Sequence, residues 1–191
     1  NVPDWYIWSC KKIKYMFPKA HASAYVMMGF RIAYFKVHYP KEYYTAYFSI
    51  RADVFDSLTM CGGYEATMRQ KRLIEAKGNE ATAREKDLLT ILELVCEMNA
   101  RGIDFVPIDI YKCDATRFIL TPKGIMPPLS SIPGLGETVA KTFVEEREKE
   151  PFATQAEMRQ RRKLSQTLVE TMAQMGILGD IPETNQISFG F

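Results

Sequence analysis

The residues of this chain whose types and spacing suit chemistry are Ile132-Pro133-Gly134-Leu135-Gly136, and the chemistry they suit is anion binding. Glycine allows positive φ and lets a backbone approach a ligand closely. A turn holding two glycines, followed by a helix over Glu137–Glu150, leaves the N–H groups of the turn and of the helix start pointing outwards, where an anion can sit. Leu135 can turn inward and lock the turn to the core. Val139, Phe143 and Val144, with Ala140 beside them, give the following helix an apolar stripe. A Gly-x-Gly by itself marks only a tight turn. Here the Ile-Pro before it, the Leu inside it and the amphipathic helix after it favour the anion site.

This is the pattern of a helix-hairpin-helix motif, whose loop grips a DNA phosphate without reading bases. Gly134, Leu135, Gly136 and Lys141 are its candidate DNA-contacting residues. A second helical pair follows: Phe152–Arg161, a basic turn through Arg161, Arg162 and Lys163, then a helix carrying Leu164, Leu168, Met172 and Met175. Four of the five residues 159–163 are basic, the type that neutralises phosphates. This turn has no glycine, so the second hairpin is degenerate. Phosphate contact and a solvated charged face are equal readings for each of its bases.

Other chemistry finds few residues. No nucleophile–base set, phosphate loop or metal cluster stands out, so no catalytic residue and no metal ligand is assigned. Asp109 and Asp114 flank residues 108–113 as turn residues. Cys10, Cys61, Cys96 and Cys113 stand alone, and His21 and His38 are the only histidines. Scattered cysteines fit a reducing cytoplasm better than a disulfide scaffold. The net charge of +2 hides an asymmetry, because residues 1–51 hold eight Lys or Arg against Asp4 and Glu42. That bias points to a polyanionic partner. The apolar stretch Ala22–Phe35 contains Arg31 and is too short to span a bilayer, so no membrane is expected. The chain opens at Asn1 without an initiator Met and no signal peptide is evident, which reads as a piece of something longer.

The elements that position these residues are mostly helical. Asp4 is placed to cap a helix starting near Trp5 and ending before Phe17-Pro18. A second helix runs from about Lys19 to Tyr39, with Ala24, Met28, Ile32 and Phe35 on one face and Ala22, Val26, Gly29 and Ala33 on another. A helix apolar on two sides is normally buried between neighbours. Tyr64–Ala76 reads as a surface helix. Glu85–Arg101 reads as an amphipathic helix through Leu88, Ile91, Leu92, Val95 and Met98, closed by Gly102. Ile103–Val106 and Phe118–Leu120 read as short strands around a loop. After Gly179 the chain is expected to be extended and mobile. The predicted fold class is mainly α with a short β-hairpin.

The opening string Val2-Pro3-Asp4-Trp5-Tyr6-Ile7, then Ser9 through Tyr25, then Arg31–Lys36, resembles the C-terminal region of the alpha subunit of DNA polymerase III, in the PolC form of low-GC Gram-positive bacteria. Glu85-Lys86, Leu88–Glu93, Arg101-Gly102, the Ile132–Gly136 turn and the tail continue it, with residues 52–80 the weakest stretch. The resemblance implies that 1–51 is the end of the polymerase fingers and 52–80 a helical connector. It makes 81–179 a duplex-binding domain, with tandem hairpins over about 129–179, and 180–191 a flexible tail. It implies contacts to the incoming deoxynucleotide (dNTP) from Lys19, His21 and Tyr25, which share one helix, and from Phe17. Gln186, Ile187, Ser188, Phe189 and Phe191 resemble the peptide by which bacterial proteins dock on the sliding clamp, a homodimeric ring. Phe189 replaces the more usual Leu, and Gly190 lengthens the motif by one residue. Partners implied are primer–template DNA, dNTP, the clamp and other replisome subunits, in the bacterial cytoplasm at the nucleoid. The palm carboxylates and their Mg²⁺ ions would lie upstream, so this piece is expected to be inactive alone, with no cofactor of its own. The competing reading is a stand-alone helix-hairpin-helix accessory protein.

Overall fold

The structure is a computed structural model. It describes residues 1–13, 18–51, 54–162 and 164–184, the side chain of Arg162 excepted. It is mainly helical, with one two-stranded antiparallel hairpin. The chain forms two compact units, Asn1–Pro40 and Lys41–Phe191.

In the first unit, α1 spans Asp4–Lys12 and α2 spans Lys19–His38. Asp4 does not cap α1 as expected. Pro3 holds the cap position in extended backbone, and Asp4 is already helical, with no side-chain cap bond. The fixed φ of proline starts the helix one residue early and leaves the Asp4 carboxylate to act on the helix dipole. The Lys12 ammonium lies 3.7 Å from the Trp8 ring centre, one turn away. Neither α1 nor α2 buries a residue. On α2 the expected two-sided apolar surface is present and uncovered, with Phe30 73% exposed.

Helix α3, Pro40–Arg51, begins at the last residue of the first unit, and from Lys41 on it belongs to the second. The sequence reading grouped this segment with residues 1–51, but Tyr44 and Phe48 are buried in the second unit's core. There Phe48, Phe55, Phe105 and Phe118 pack ring against ring at centroid distances of 5.0–6.2 Å. Helix α4, Ser57–Met60, is capped by Asp56, whose carboxylate accepts from the N–H groups of Leu58 and Thr59. Helices α5, Gly63–Lys77, and α6, Ala83–Ala100, pack against each other. Ile91, Leu92, Val95 and Met98 are buried on α6 and Leu88 is half-buried, so the helical period read from sequence is the core face. Gly102 adopts φ +73°, with Gly102 N–H donating to Asn99 and Ile103 N–H to Met98, which completes a Schellman stop.

Helix α6 starts from a capping box. Glu85 N–H donates to the Thr82 hydroxyl, and Thr82 N–H donates to the Glu85 carboxylate. The Lys77 ammonium, followed by the Thr82 bonds, lowers the Glu85 pKa to about 2 from its ordinary 4.5. A depressed folded pKa means that this stabilisation is present above pH 4.5 and is lost as pH falls towards 2. The thermal midpoint of the native chain should therefore drop more steeply over that window than that of Glu85→Gln.

The strands differ from expectation. β1, Ile119–Thr121, pairs with β2, Gly124–Met126, while 103–106 contributes only a single parallel bridge from Phe105 to Ile125. The next bond of a parallel ladder would run from residue 127 to the Val106 carbonyl, and Pro127 has no N–H to donate, so pairing stops there. Gly124 is required here: a Cβ on it would lie 2.3 Å from the Asp104 carbonyl oxygen. After a 3₁₀ turn at Leu129–Ser131 come α7, Glu137–Lys149, α8, Gln155–Arg162, and α9, Gln166–Gln174. Their core joins Leu135, Ala140, Phe143, Phe152, Met158, Leu164, Leu168 and Met172. Val139, expected on the apolar stripe of α7, is 38% exposed, and Ala140 takes its place inside. Asp180–Thr184 carry no helix or strand, and residues 185–191 lie outside the described residues.

Candidate nucleic-acid interface

The turn before α7 is built by its own sequence. Leu135 N–H donates to the Ile132 carbonyl at 3.0 Å, with Pro133 second and Gly134 third at φ +85°. That is a type II turn, which needs a positive φ at its third residue. Leu135 is 3% exposed and anchors the turn in the core, as the sequence suggested. Gly136 plays a different part from Gly134. It is the N-cap of α7 with φ −69° and ψ 158°, a conformation open to any residue, and a Cβ there would meet nothing within 4 Å. What Gly136 provides is space.

Gly136 offers no side-chain cap, and its carbonyl accepts from Ala140 N–H at 2.9 Å. The first-turn N–H groups of α7 therefore have no helical partner and point into open space. Uncapped donors at the positive end of a 13-residue helix favour an anion. Lys141 stands one turn on, exposed, 3.5 Å from the Glu137 carboxylate. A surface pair of this kind contributes little and releases its cation readily.

The second hairpin uses its basic residues differently. The Arg161 guanidinium donates to the carbonyls of Glu146 and Glu150, pairs with the carboxylates of Glu157 at 3.0 Å and Glu146 at 3.4 Å, and lies 4.7 Å from the Phe152 ring centre. Its side chain is 22% exposed, so it braces α8 against the end of α7. Arg161→Ala should cost about 1–3 kcal/mol of stability in thermal unfolding and leave the salt slope of DNA binding unchanged. Arg159 bonds Gln166 at 2.7 Å. Lys163 and the Arg162 side chain lie outside the described residues.

Of the other sequence-assigned residues, Lys19, His21 and Tyr25 all lie on exposed turns of α2. The His21 and Tyr25 rings meet at a centroid distance of 4.5 Å. Lys19 does not share their face: two residues are about 200° of helical rotation, so its stem leaves the opposite side. Phe17, Gln186, Ile187, Ser188, Phe189 and Phe191 lie outside the described residues. Asp109 and Asp114 are turn acceptors, Asp109 for Tyr111 N–H and Asp114 for Thr116 and Arg117 N–H. Among the described residues no group of three or more His, Cys, Asp or Glu side chains stands together to hold a metal ion. None of the described helices is long and apolar enough to cross a membrane.

Sequence reasoning missed Arg147. Its guanidinium donates to the carbonyls of Ile110 and Cys113, tying the 108–114 loop to α7. Those partners are more than thirty residues away, and a lone Arg among the charges of α7 carries no local sign of them.

Residues 102–187 match the helix-hairpin-helix motif family, which takes in both hairpins and the β1–β2 segment. Nearly the whole chain, 98% of it, also aligns with PolC-type DNA polymerases III. It is 52% identical over 188 residues to the protein of Caldanaerobacter subterraneus subsp. tengcongensis, and 55% identical over 190 residues to that of Streptococcus sanguinis. The chain is homologous to a segment of PolC-type DNA polymerase III. The alignment to the Streptococcus thermophilus protein, at 54% identity, likewise covers 98% of this chain. The chain spans about 13% of the length of these PolC-type relatives.

Proposed function

We propose that this chain supplies the DNA-holding and clamp-docking end of a bacterial replicative DNA-directed DNA polymerase. The observation that carries the proposal is the uncapped start of α7 behind the Gly134 turn, inside the segment that matches the helix-hairpin-helix family. Backbone N–H donors recognise phosphate oxygens that every sequence presents alike, so the contact positions duplex DNA without reading it. In this reading residues 81–179 hold primer–template, through the turn at Gly134, Leu135 and Gly136, with Lys141 adding charge. Residues 52–80 connect that domain to the end of the fingers, residues 1–51. There the paired rings of His21 and Tyr25 meet the incoming deoxynucleotide, together with Phe17 and with Lys19 from the first turn of α2. Residues 180–191 dock on the sliding clamp through Gln186, Ile187, Ser188, Phe189 and Phe191. The nucleotidyl-transfer chemistry belongs to the upstream palm and its Mg²⁺ ions, in the cytoplasm at the nucleoid.

Deleting residues 185–191 should abolish binding of the chain to a bacterial sliding clamp in surface plasmon resonance. The same deletion should leave its affinity for primed duplexes of unrelated sequence unchanged. Clamp binding that survives the deletion rejects the docking tail. A strong preference for one duplex sequence rejects backbone recognition.

A further inference from the structure

Among the described residues, the buried polar side chains are the hydroxyls of Ser57, Thr67 and Thr154. Thr67 donates to the Gly63 carbonyl one turn back on α5, and Thr154 accepts from Glu157 N–H at the start of α8. Both serve their own helix. Ser57, the first residue of α4 and 1% exposed, does not: its hydroxyl donates to the Ser131 carbonyl, 74 residues on, at 2.8 Å. That oxygen belongs to the peptide unit just ahead of the Ile132–Leu135 turn. The N–H of the same unit, on Ile132, donates to the Leu129 carbonyl at 3.0 Å, so both polar ends of this peptide are held. Ser57 is itself held firmly, with Asp56 capping α4 and Met60, three residues on, fully buried in the core with Tyr44 and Leu92.

We infer that Ser57 is a positioning residue for the Gly134 turn: through the Ser131 carbonyl it fixes the angle at which the turn meets DNA. This rests on the DNA-holding reading and goes beyond it, because the residue that sets the turn lies in the 52–80 connector rather than in either hairpin. The turn closes on the very next carbonyl, that of Ile132, which accepts from Leu135 N–H. A tilt of the Ser131–Ile132 peptide is therefore a tilt of the whole turn. Without the Ser57 hydroxyl the Ser131 carbonyl loses its partner and must turn towards water to find another. The Ser131 hydroxyl is no substitute, since it already donates to the Pro128 carbonyl. A shift of roughly 1 Å takes a hydrogen bond to phosphate out of range, so a small tilt is enough to cost affinity.

The test uses the full chain and a labelled primer–template duplex, titrated by fluorescence anisotropy below the thermal midpoint of every variant. Ser57→Ala should weaken binding about 3- to 10-fold, and Ser57→Cys, close in size but with a weak S–H donor, should fall between it and the native chain. In a Gly136→Val background Ser57→Ala should weaken binding no further, because its effect passes through the turn. Ile91→Val, a core substitution on α6, should lower the midpoint without moving affinity and controls for stability alone. Native affinity in both Ser57 variants, while Gly136→Val loses binding, overturns the positioning role and leaves the hairpin reading standing. The same further loss in the Gly136→Val background, or an equal loss in Ile91→Val, also overturns it. Native affinity in Gly136→Val overturns the hairpin reading and the positioning role with it.

Discussion

Gly136→Val weakens binding of primed duplex DNA by about 10- to 100-fold and lowers the thermal midpoint of the 41–191 unit by only a few degrees, the cost of about 1 kcal/mol for a poorer N-cap. The factor follows from losing one charge-assisted hydrogen bond to phosphate, about 1.5–3 kcal/mol, at roughly 1.4 kcal/mol per tenfold. The fold survives because φ −69° and ψ 158° are comfortable for a β-branched residue and a Cβ there touches nothing. The space that makes the substitution harmless to folding is the space the phosphate needs. Gly134→Val is a poorer probe. At φ +85° any side chain strains the turn by about 1–3 kcal/mol, so lost binding would be entangled with lost structure. Gly136→Val tested by anisotropy beside thermal unfolding separates the two. Native affinity in a folded variant rejects the turn as a phosphate site.

Phe143→Ala should give the largest loss of stability, about 3–5 kcal/mol, which is a fall of roughly 6–20 °C in the midpoint of the 41–191 unit. Phe143 is fully buried on α7 and packs on Phe152 at a centroid distance of 5.0 Å. Phe152 in turn lies under Arg161, which holds α8 to the end of α7. Removing the Phe143 ring leaves a void beneath Phe152, which packs between α7 and Arg161 of α8. Guanidinium unfolding followed by circular dichroism checks it. A loss under 1 kcal/mol would mean that the hairpins are not held together through this stack.

What the sequence disclosed and what it withheld divide along physical lines. The turn at Ile132–Gly136 was legible because a type II turn, its Pro-Gly chemistry and its Leu anchor all lie within five residues. The α6 face and its Gly102 stop were legible for the same reason: helical period and Schellman geometry are local. Phe118–Leu120 was read within one residue of β1, but its partner was sought at Ile103–Val106, which has the composition of a strand, while the decisive contact there is long-range. Asp104 and Val106 meet Ile125 across twenty residues, and only the lack of side-chain room at Gly124 permits it. For Arg161 the sequence left phosphate contact and a solvated face open, because a basic run carries no local sign of the carbonyls of Glu146 and Glu150 or of the Phe152 ring that its guanidinium meets.

Whether this chain holds duplex DNA by its phosphates, as proposed, is read from the slope of log affinity against log salt. Titrated with blunt and primed duplexes of unrelated sequence, the native chain should lose affinity steeply as salt rises and favour no sequence, with Gly136→Val weaker throughout. Binding that is insensitive to salt, or absent at low salt, would rule out phosphate recognition and reduce the Gly134 turn to a structural bend.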